Sequence, residues 1–498
     1  MNKHILTSLF SLLWANLLFA QIDPDALGYY DYAMRYTQEN SGFSPRMQAL
    51  GGAQTSLGAD YSQQAQNPAG LGLYQKSDIG ITFGNDFNQF EQNINYNTTD
   101  INKHQFNIQS MGIVIGSTDF NKVWKNHNIG FSYNRLGSIL NPIKYSRHNQ
   151  SNSLRNFLVN TAQGTNFSIF RDQLDKNGKV EDIWGLAYYT FLLNTKNETS
   201  KPDEYFTFNP HTPDIVNEKI NHKHRNMQYN MSYGNGIDDK FYWGISLGIR
   251  SVYESKKRCY TEAPDATLKS FTLEETEATQ GLGANFTVGI IIKPIDALRI
   301  GFSYKTSTAM ELSENYKASI SAEYDNYTLP NNEILTKEKF ETIDFITNYT
   351  LKIPSLTSLG ISYFFKDKGF ITADAKFSPV KKARLKSTSI DFEADNITIK
   401  NLYRNQITAN IGGELRFGKS FVRAGTGLQN SPYKFYRTVY PHYSFGLGQQ
   451  LGDGTYVDIS FEHRKLLFNQ YRPYSGASTV NTIGLRNNIS ISIHQIIL

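Results

Sequence analysis

The sequence carries a single cysteine, Cys259, among 498 residues. A lone thiol closes no internal disulfide, so an exported chain of this composition must rest on packing and strand pairing. Beyond the first twenty or so positions there is no run of about eighteen apolar residues, which excludes a membrane-spanning helix there. Strong charge of either sign is also missing. The 50 Lys and Arg against 45 Asp and Glu leave +5, a mild balance that identifies no nucleic-acid partner. The densest basic cluster, Lys381, Lys382, Arg384 and Lys386, reads as a solvated strand end. No Walker motif, EF-hand loop or zinc spacing occurs, so no cofactor and no metal are expected.

What is present starts with a targeting layout. Lys3 supplies a short positive region, Ile5 to Phe19 is largely apolar, and Ala20 precedes a polar chain. This order predicts a secretory signal peptide over residues 1–20, with Leu18 larger than usual at the −3 position. Hydrophobic residues make up 39% of the chain, yet there are 31 Tyr and 32 Phe. Aromatic wealth with a polar mean fits strands that alternate between a lipid face and a lumen face, because averaging the two hides the membrane signal.

From about residue 76 the chain repeats a period of two. Phe241, Trp243, Ile245, Leu247 and Ile249 alternate with Gly244, Ser246, Gly248 and Arg250; Ile407, Ala409, Ile411, Leu415 and Phe417 alternate with Gln406, Asn410, Glu414 and Arg416. In a strand these sets point to opposite faces. The pattern predicts strands near 76–86, 104–118, 126–137, 226–234, 239–253, 280–293, 298–307, 350–365, 370–380, 403–417, 420–428, 441–450, 455–469 and 480–497. The expected fold is therefore all-β, a transmembrane antiparallel β-barrel of about 14 strands over residues 76–498. Short joins at 366–369, 418–420 and 451–454 read as periplasmic turns, while 138–225 and 308–348 read as long polar extracellular loops without cores of their own.

Residues 21–75 do not alternate. They contain Arg46, Gly51-Gly52-Ala53 and then Asn67-Pro68-Ala69-Gly70-Leu71, with small residues suited to backbone packed in a confined space. An Arg, a Gly-Gly-Ala step, a polar stretch and Asn-Pro-Ala-Gly-Leu in this position resemble the N-terminal hatch of FadL-type outer-membrane transporters. The resemblance implies a barrel plugged by residues 21–75 and passive uptake of hydrophobic compounds, such as long-chain fatty acids or aromatics. It implies a gating role for Arg46, Gly51, Gly52, Asn67, Pro68, Ala69, Gly70 and Leu71. It also implies an inward kink of the third strand, for which Gly130 and Gly137 are the candidates. Partners would be hydrophobic small molecules, outer-membrane lipids and, during biogenesis, the barrel-assembly machinery; the terminal Leu498 departs from the aromatic end of many such barrels.

Other motifs carry less. Gly244-Ile-Ser246-Leu-Gly248 matches the nucleophile-elbow string, but Ser246 is expected mid-strand, and no enzyme is expected. His222-Lys-His224 suggests a metal or haem, against the reading of a solvated loop. Asp374, Lys376, Glu414, Arg416, Arg423, Asp458, Glu462 and Arg464 are expected to form paired networks in the lumen. Two alternatives to hydrophobic uptake stay open: a structural or secretion-associated barrel that binds protein partners, and a hemin-binding receptor.

Overall fold

A computed structural model describes residues 28–39, 42–94, 97–118, 123–137, 142–149, 153–208, 214–264, 267–329, 331–466, 469–474 and 477–497. The expected signal peptide and Leu498 lie outside the described residues. Two short helices come first, α1 (Tyr29–Thr37) and α2 (Pro45–Ala49). The wall follows: β1 (Ser77–Ile94), β2 (Asn97–Thr118), β3 (Trp124–Gly137), β4 (Asp214–Ile237), β5 (Phe241–Ala263) and β6 (Leu268–Ile295). Then come β7 in two pieces (Leu298–Lys305 and Thr308–Thr328), β8 in two pieces (Leu356–Phe364 preceded by Phe345–Ile353) and β9 (Gly369–Ser378). The last five are β10 (Gln406–Phe417), β11 (Ser420–Asn430), β12 (Val439–Gln450), β13 (Thr455–Lys465) and β14 (Val480–Ile497). Each pairs antiparallel with its neighbours, and β14 closes on β1 from Ser77↔Ile497 to Asn93↔Asn481, giving a 14-strand barrel.

Closure follows from the physics of the solvent. In lipid every backbone polar group needs a partner within the protein, and only a closed sheet leaves no edge. The period of two sorts the side chains: on β10, Ile411, Leu415 and Phe417 are 55, 56 and 63% exposed, whereas Asn410 and Glu414 point inward and are buried. Outside is apolar and inside is polar, the inverse of a soluble protein.

The two ends differ, in a way that partly departs from the expectations above. At one end the joins are tight, such as Phe365–Lys368 and Leu451–Gly454. At the other, the strands outrun the membrane. β6 has 28 residues and β4 has 24, where about 9–11 suffice to cross a bilayer. The segment 308–348, expected as a loop, is mostly strand: Thr308–Thr328 pairs with β6, and Ile334–Thr342 pairs back onto it. The hydrophilic outer faces of these extensions, such as Glu311, Ser313 and Lys317, hid them from a search for lipid-facing strands.

The segment 138–225 also has more structure than a polar loop. Ile143–Asn149 is a strand paired with β4, and helices follow, α3 (Leu154–Ala162) and α4 (Ile183–Tyr189) with a single turn, Ser168–Arg171, between them. Ser153 caps α3 by accepting from the Asn156 amide at 3.1 Å, and Asp182 caps α4 by accepting from the Gly185 amide at 2.8 Å. Leu154 and Leu158 fall on one helical face and join Leu186, Leu192 and Tyr205. Together they pack on Phe271, Leu273 and Ile320 from the tall strands, forming an apolar core across the extended end. A last helix, α5 (Glu393–Leu402), packs its Ile399 with Phe392 against Tyr32, Tyr36 and Tyr349.

A wall in which every strand is paired should survive detergent. We expect the purified barrel to migrate faster on SDS gels before boiling than after it, with the shift abolished above its unfolding temperature. Recovery as a soluble periplasmic protein would contradict the fold.

Candidate functional site

The interior is occupied. Residues 42–74 thread the lumen and are almost entirely buried, although many are polar. Their backbone is held in three ways.

The first is by side chains that replace a missing sheet. Asp374 on β9 accepts from the amides of Gln54 and Thr55 at 2.8 and 2.9 Å and from the Thr55 hydroxyl at 2.7 Å. On β3, Asn126 donates to the Gly72 carbonyl at 2.7 Å, and Asn128 to those of Leu71 and Tyr74 at 2.6 and 2.8 Å. Higher on the same strand, Asn134 donates to the carbonyls of Gly42 and Ser62 at 2.7 and 2.9 Å. A buried carbonyl without a donor costs about 1–3 kcal/mol, so these amides are needed wherever the chain is not helical.

The second is close approach. A Cβ on Gly289 would overlap the Asn67 side chain, and one on Gly244 the Pro68 carbonyl. Gly301 faces the Thr55 carbonyl, Gly412 and Gly425 face Leu50, and Gly80 faces the Tyr61 ring in the same way. Glycines from strands all round the wall thus form a belt on which the segment's own backbone lies. The third is local capping. Asn67 accepts from the Ala69 amide at 3.1 Å and donates to the Thr55 carbonyl at 2.6 Å, while Pro68 starts the short 3₁₀ turn Pro68–Leu73.

The residues singled out in the sequence fall within this arrangement. Gly51 and Gly52 take positive φ, 66° and 75°, and end α2; the Gly51 amide donates to the Ser444 hydroxyl at 3.0 Å. Arg46 donates to the Ala59 carbonyl at 3.0 Å and lies 3.8 Å from Glu414. Ala69 packs on Tyr242 and Ile291, Leu71 on Tyr74 and Val114, and Gly70 leaves room for Gln63. Six of the eight lumen charges are paired: Arg423 with Glu414 at 2.7 Å and with Asp458, Arg416 with Glu414 at 2.7 Å, Arg464 with Glu462 at 3.1 Å. Asp374 and Lys376 bind the lumen segment instead, Lys376 donating to the Gly52 carbonyl at 3.2 Å and to Gln66 at 3.0 Å. Asp374 and the Asn126, Asn128 and Asn134 ladder are the anchors that motif patterns do not reveal. Their signal was the recurrence of amides on one face of β3.

One expectation is corrected. His222 and His224 do not sit in a solvated loop. Both are buried on the inner face of β4, 2.7 and 3.3 Å from Glu254, which also binds Arg35 of α1. The strand extension carried them inward, and among the described residues no cluster is arranged to hold a metal ion. Ser246 lies mid-strand, as expected, and accepts from the Ser232 hydroxyl at 2.8 Å, so no elbow forms.

Among the described residues the wall parts between β2 and β3. β2 pairs with β3 only from Ser110↔Asn134 to Thr118↔Asn126. Above this, Asn97–Gln109 pairs with β1 alone, and has no strand on its other side among the described residues. β3 departs from β2 at this point. A bulge between Arg135 and Gly137 shifts its register on β4, and Ile143–Asn149 resumes the ladder on β4 one residue out of phase. This continuation passes inside β1, where Gln92 donates to the Pro142 carbonyl and accepts from the Lys144 amide at 2.9 Å. Gly137 lies at the bulge. Gly130 does not: it is paired on both sides without a shift, and its missing Cβ makes room for Gln64. Asn134, the last residue of β3 paired to β2, is the one that holds Gly42 and Ser62, so the lumen segment is tied to the rim of the gap.

Around the gap, Asp86 accepts from Arg486 at 2.7 Å and from Asn488 at 2.8 Å, and Arg135 lies 4.0 Å away. Two guanidinium groups therefore face one carboxylate.

Comparison with known proteins now has a geometry to rest on. Residues 230–469 match the family model for outer membrane protein transport proteins (OMPP1/FadL/TodX). No curated protein matches the chain. Among solved structures, a Pseudomonas aeruginosa FadL homologue aligns with TM-score 0.58 and 12% identity, over 91% of this chain and 98% of the other. The P. putida toluene transporter TodX aligns with TM-score 0.53 and 12% identity, over 92 and 99%. The CymD monoaromatic hydrocarbon channel aligns with TM-score 0.50 and 13% identity, over 92 and 98%. At these identities the structural likeness speaks to the fold.

The belt makes a specific prediction. Gly289→Ala places a methyl group against Asn67 and should cost about 1–3 kcal/mol as overpacking. Asp374→Ala, which strands three donors, should cost a similar amount. In both variants limited proteolysis should cut residues 42–74 at lower denaturant than in the wild type, while the heat shift of the barrel persists.

Proposed function

We propose that the chain is an outer-membrane channel of the OMPP1/FadL/TodX family, whose model residues 230–469 match, and that it takes up long-chain fatty acids or similar amphiphiles passively and releases them sideways through its wall. The observation that carries this reading is the parting of β2 and β3 above Ser110 and Asn134. An apolar molecule leaving there enters the bilayer and never has to be solvated, which avoids about 0.8 kcal/mol per methylene. Residues 21–75 act as the hatch in this reading, and Arg46, Gly51, Gly52, Asn67, Pro68, Ala69, Gly70 and Leu71 hold it shut. The filled lumen supports the same view, since it leaves no wide water path for sugars or ions.

The rim favours an amphiphile with an acidic head over a neutral hydrocarbon. Arg135 and Arg486 both stand beside Asp86 at the rim, and a carboxylate arriving there would meet charge-assisted donors.

Two measurements test the proposal. Binding of a fatty-acid series to the purified protein should strengthen by about fourfold per added methylene until the site is full. Affinity that ignores chain length, or large steady ion currents across a planar bilayer, would sink it. Asn67→Ala combined with Pro68→Ala should leave the barrel folded and change the rate of fatty-acid uptake at equal surface level. Unchanged uptake would remove the gating role from this turn.

A further inference from the structure

The lipid-facing wall beside the gap is not smooth. A concavity of about 1050 Å³ crosses the outer faces of β14, β1, β2, β3 and β4. Its floor is apolar, with Ile79, Ile81, Met111, Ile113, Phe131 and Tyr229. The upper end of the hollow coincides with the discontinuity. Met111↔Tyr133 is the last outward-facing pair below it, and Ile108, also in the lining, stands on the unpartnered edge of β2.

Beyond Tyr133, on the far side of the gap, is Arg225. It is exposed on the outer face of β4, two positions above Met227, where the outward side chains change from apolar to charged. It follows, on the same outer face, Tyr229, the ladder partner of Tyr133, and Met227, the ladder partner of Arg135. Arg135 in turn lies 4.0 Å from Asp86, which Arg486 binds at 2.7 Å. Among the described residues Arg225 has no ion-pair partner. Arg486 and Arg135 thus stand at the gap and Arg225 on the outer wall beyond it, four residues along β4 from Tyr229, where the lining of the apolar hollow begins.

We propose that this hollow is a binding site for a single-chain fatty carboxylate on the bilayer side of the wall, its tail in the groove and its head at Arg225. The occupant is fixed by the pairing of features. A neutral hydrocarbon has no use for the unpaired cation, and a bulk acyl chain of the bilayer has its head elsewhere. Continuity with the gap gives the site its purpose: the head passes from Arg486 and Arg135 to Arg225 while the tail slides from the lumen into the groove, so the carboxylate meets a cation at each stage and is never buried alone. The site deepens the reading of the gap as an exit and rests on it.

The test uses the full-length barrel in phosphatidylcholine vesicles with a palmitate probe bearing a photoreactive diazirine near its tail, followed by peptide mapping. Labelling should concentrate on 79–81, 108–113 and 131–133. Arg225→Gln, a surface change that leaves the heat shift intact, should reduce that labelling roughly tenfold, the scale of one charge-assisted hydrogen bond. The matching alcohol probe should be indifferent to Arg225→Gln. Met111→Trp, which fills the groove, should abolish labelling with either probe. Labelling spread evenly around the outer wall, or palmitate labelling unchanged in Arg225→Gln, would overturn the site. Fatty-acid uptake by cells carrying the wild-type protein separates the two readings. Uptake with uniform labelling removes the groove and leaves the exit; Arg225-dependent labelling without uptake keeps the groove and removes the exit.

Discussion

The structure depends on backbone lying against backbone inside the lumen. A polar segment of some thirty residues with only short helical turns can be buried only if each carbonyl and amide finds a partner. Wall strands normally keep such a segment at side-chain length. Here Gly244, Gly289, Gly301, Gly412 and Gly425 withdraw that spacing. The segment comes close enough for short side chains to reach its main chain, as Asp374 does at Thr55 and Asn128 does at Leu71. Larger residues at the belt would push it away, and its polar groups would then be stranded together.

The same contacts link the interior to the wall. β3 is the strand that grips the segment most often, through Asn126, Asn128 and Asn134, and it is also the strand that leaves its neighbour. Below Asn134 it belongs to the sheet on both sides. Above, it keeps β4 and turns inward behind β1, where Gln92 fastens it. A change in how Gly42 and Ser62 sit on Asn134 would therefore be felt at the edge of the opening without any intermediate element.

Much of this was legible in the sequence, because lipid enforces a period of two more strictly than water does. The spacing of Ile411, Leu415 and Phe417 alone assigns them to the outside, and the fourteen strands follow in order. The extensions beyond the bilayer were not legible as wall, since there the polarity is inverted: Met310, Leu312 and Ile320 turn inward and the outer face is polar. Thr308–Thr328 reads as loop because Glu311, Ser313 and Lys317 face water. The core around Leu158, Leu186 and Phe271 joins residues more than a hundred positions apart, which no local pattern reveals. The site was half legible. Asn67-Pro68 and Gly51-Gly52 stood out as a motif, but the belt was spread through the strands one glycine at a time, and the gap depends on a missing pairing that leaves no mark in composition.

The paired charges of the lumen bear on the mechanics of the wall. Arg423 on β11 ties Glu414 on β10 to Asp458 on β13, and these bonds act as hoops across neighbouring strands. β2 above Ser110 carries no ladder on one side. Stiffness is thus distributed unevenly round the circumference, with a braced back and a compliant seam. A squeeze from the surrounding bilayer, through thickness or lateral pressure, is taken up at the seam first. The seam is thereby the stretch of wall whose spacing depends least on bonds within the sheet.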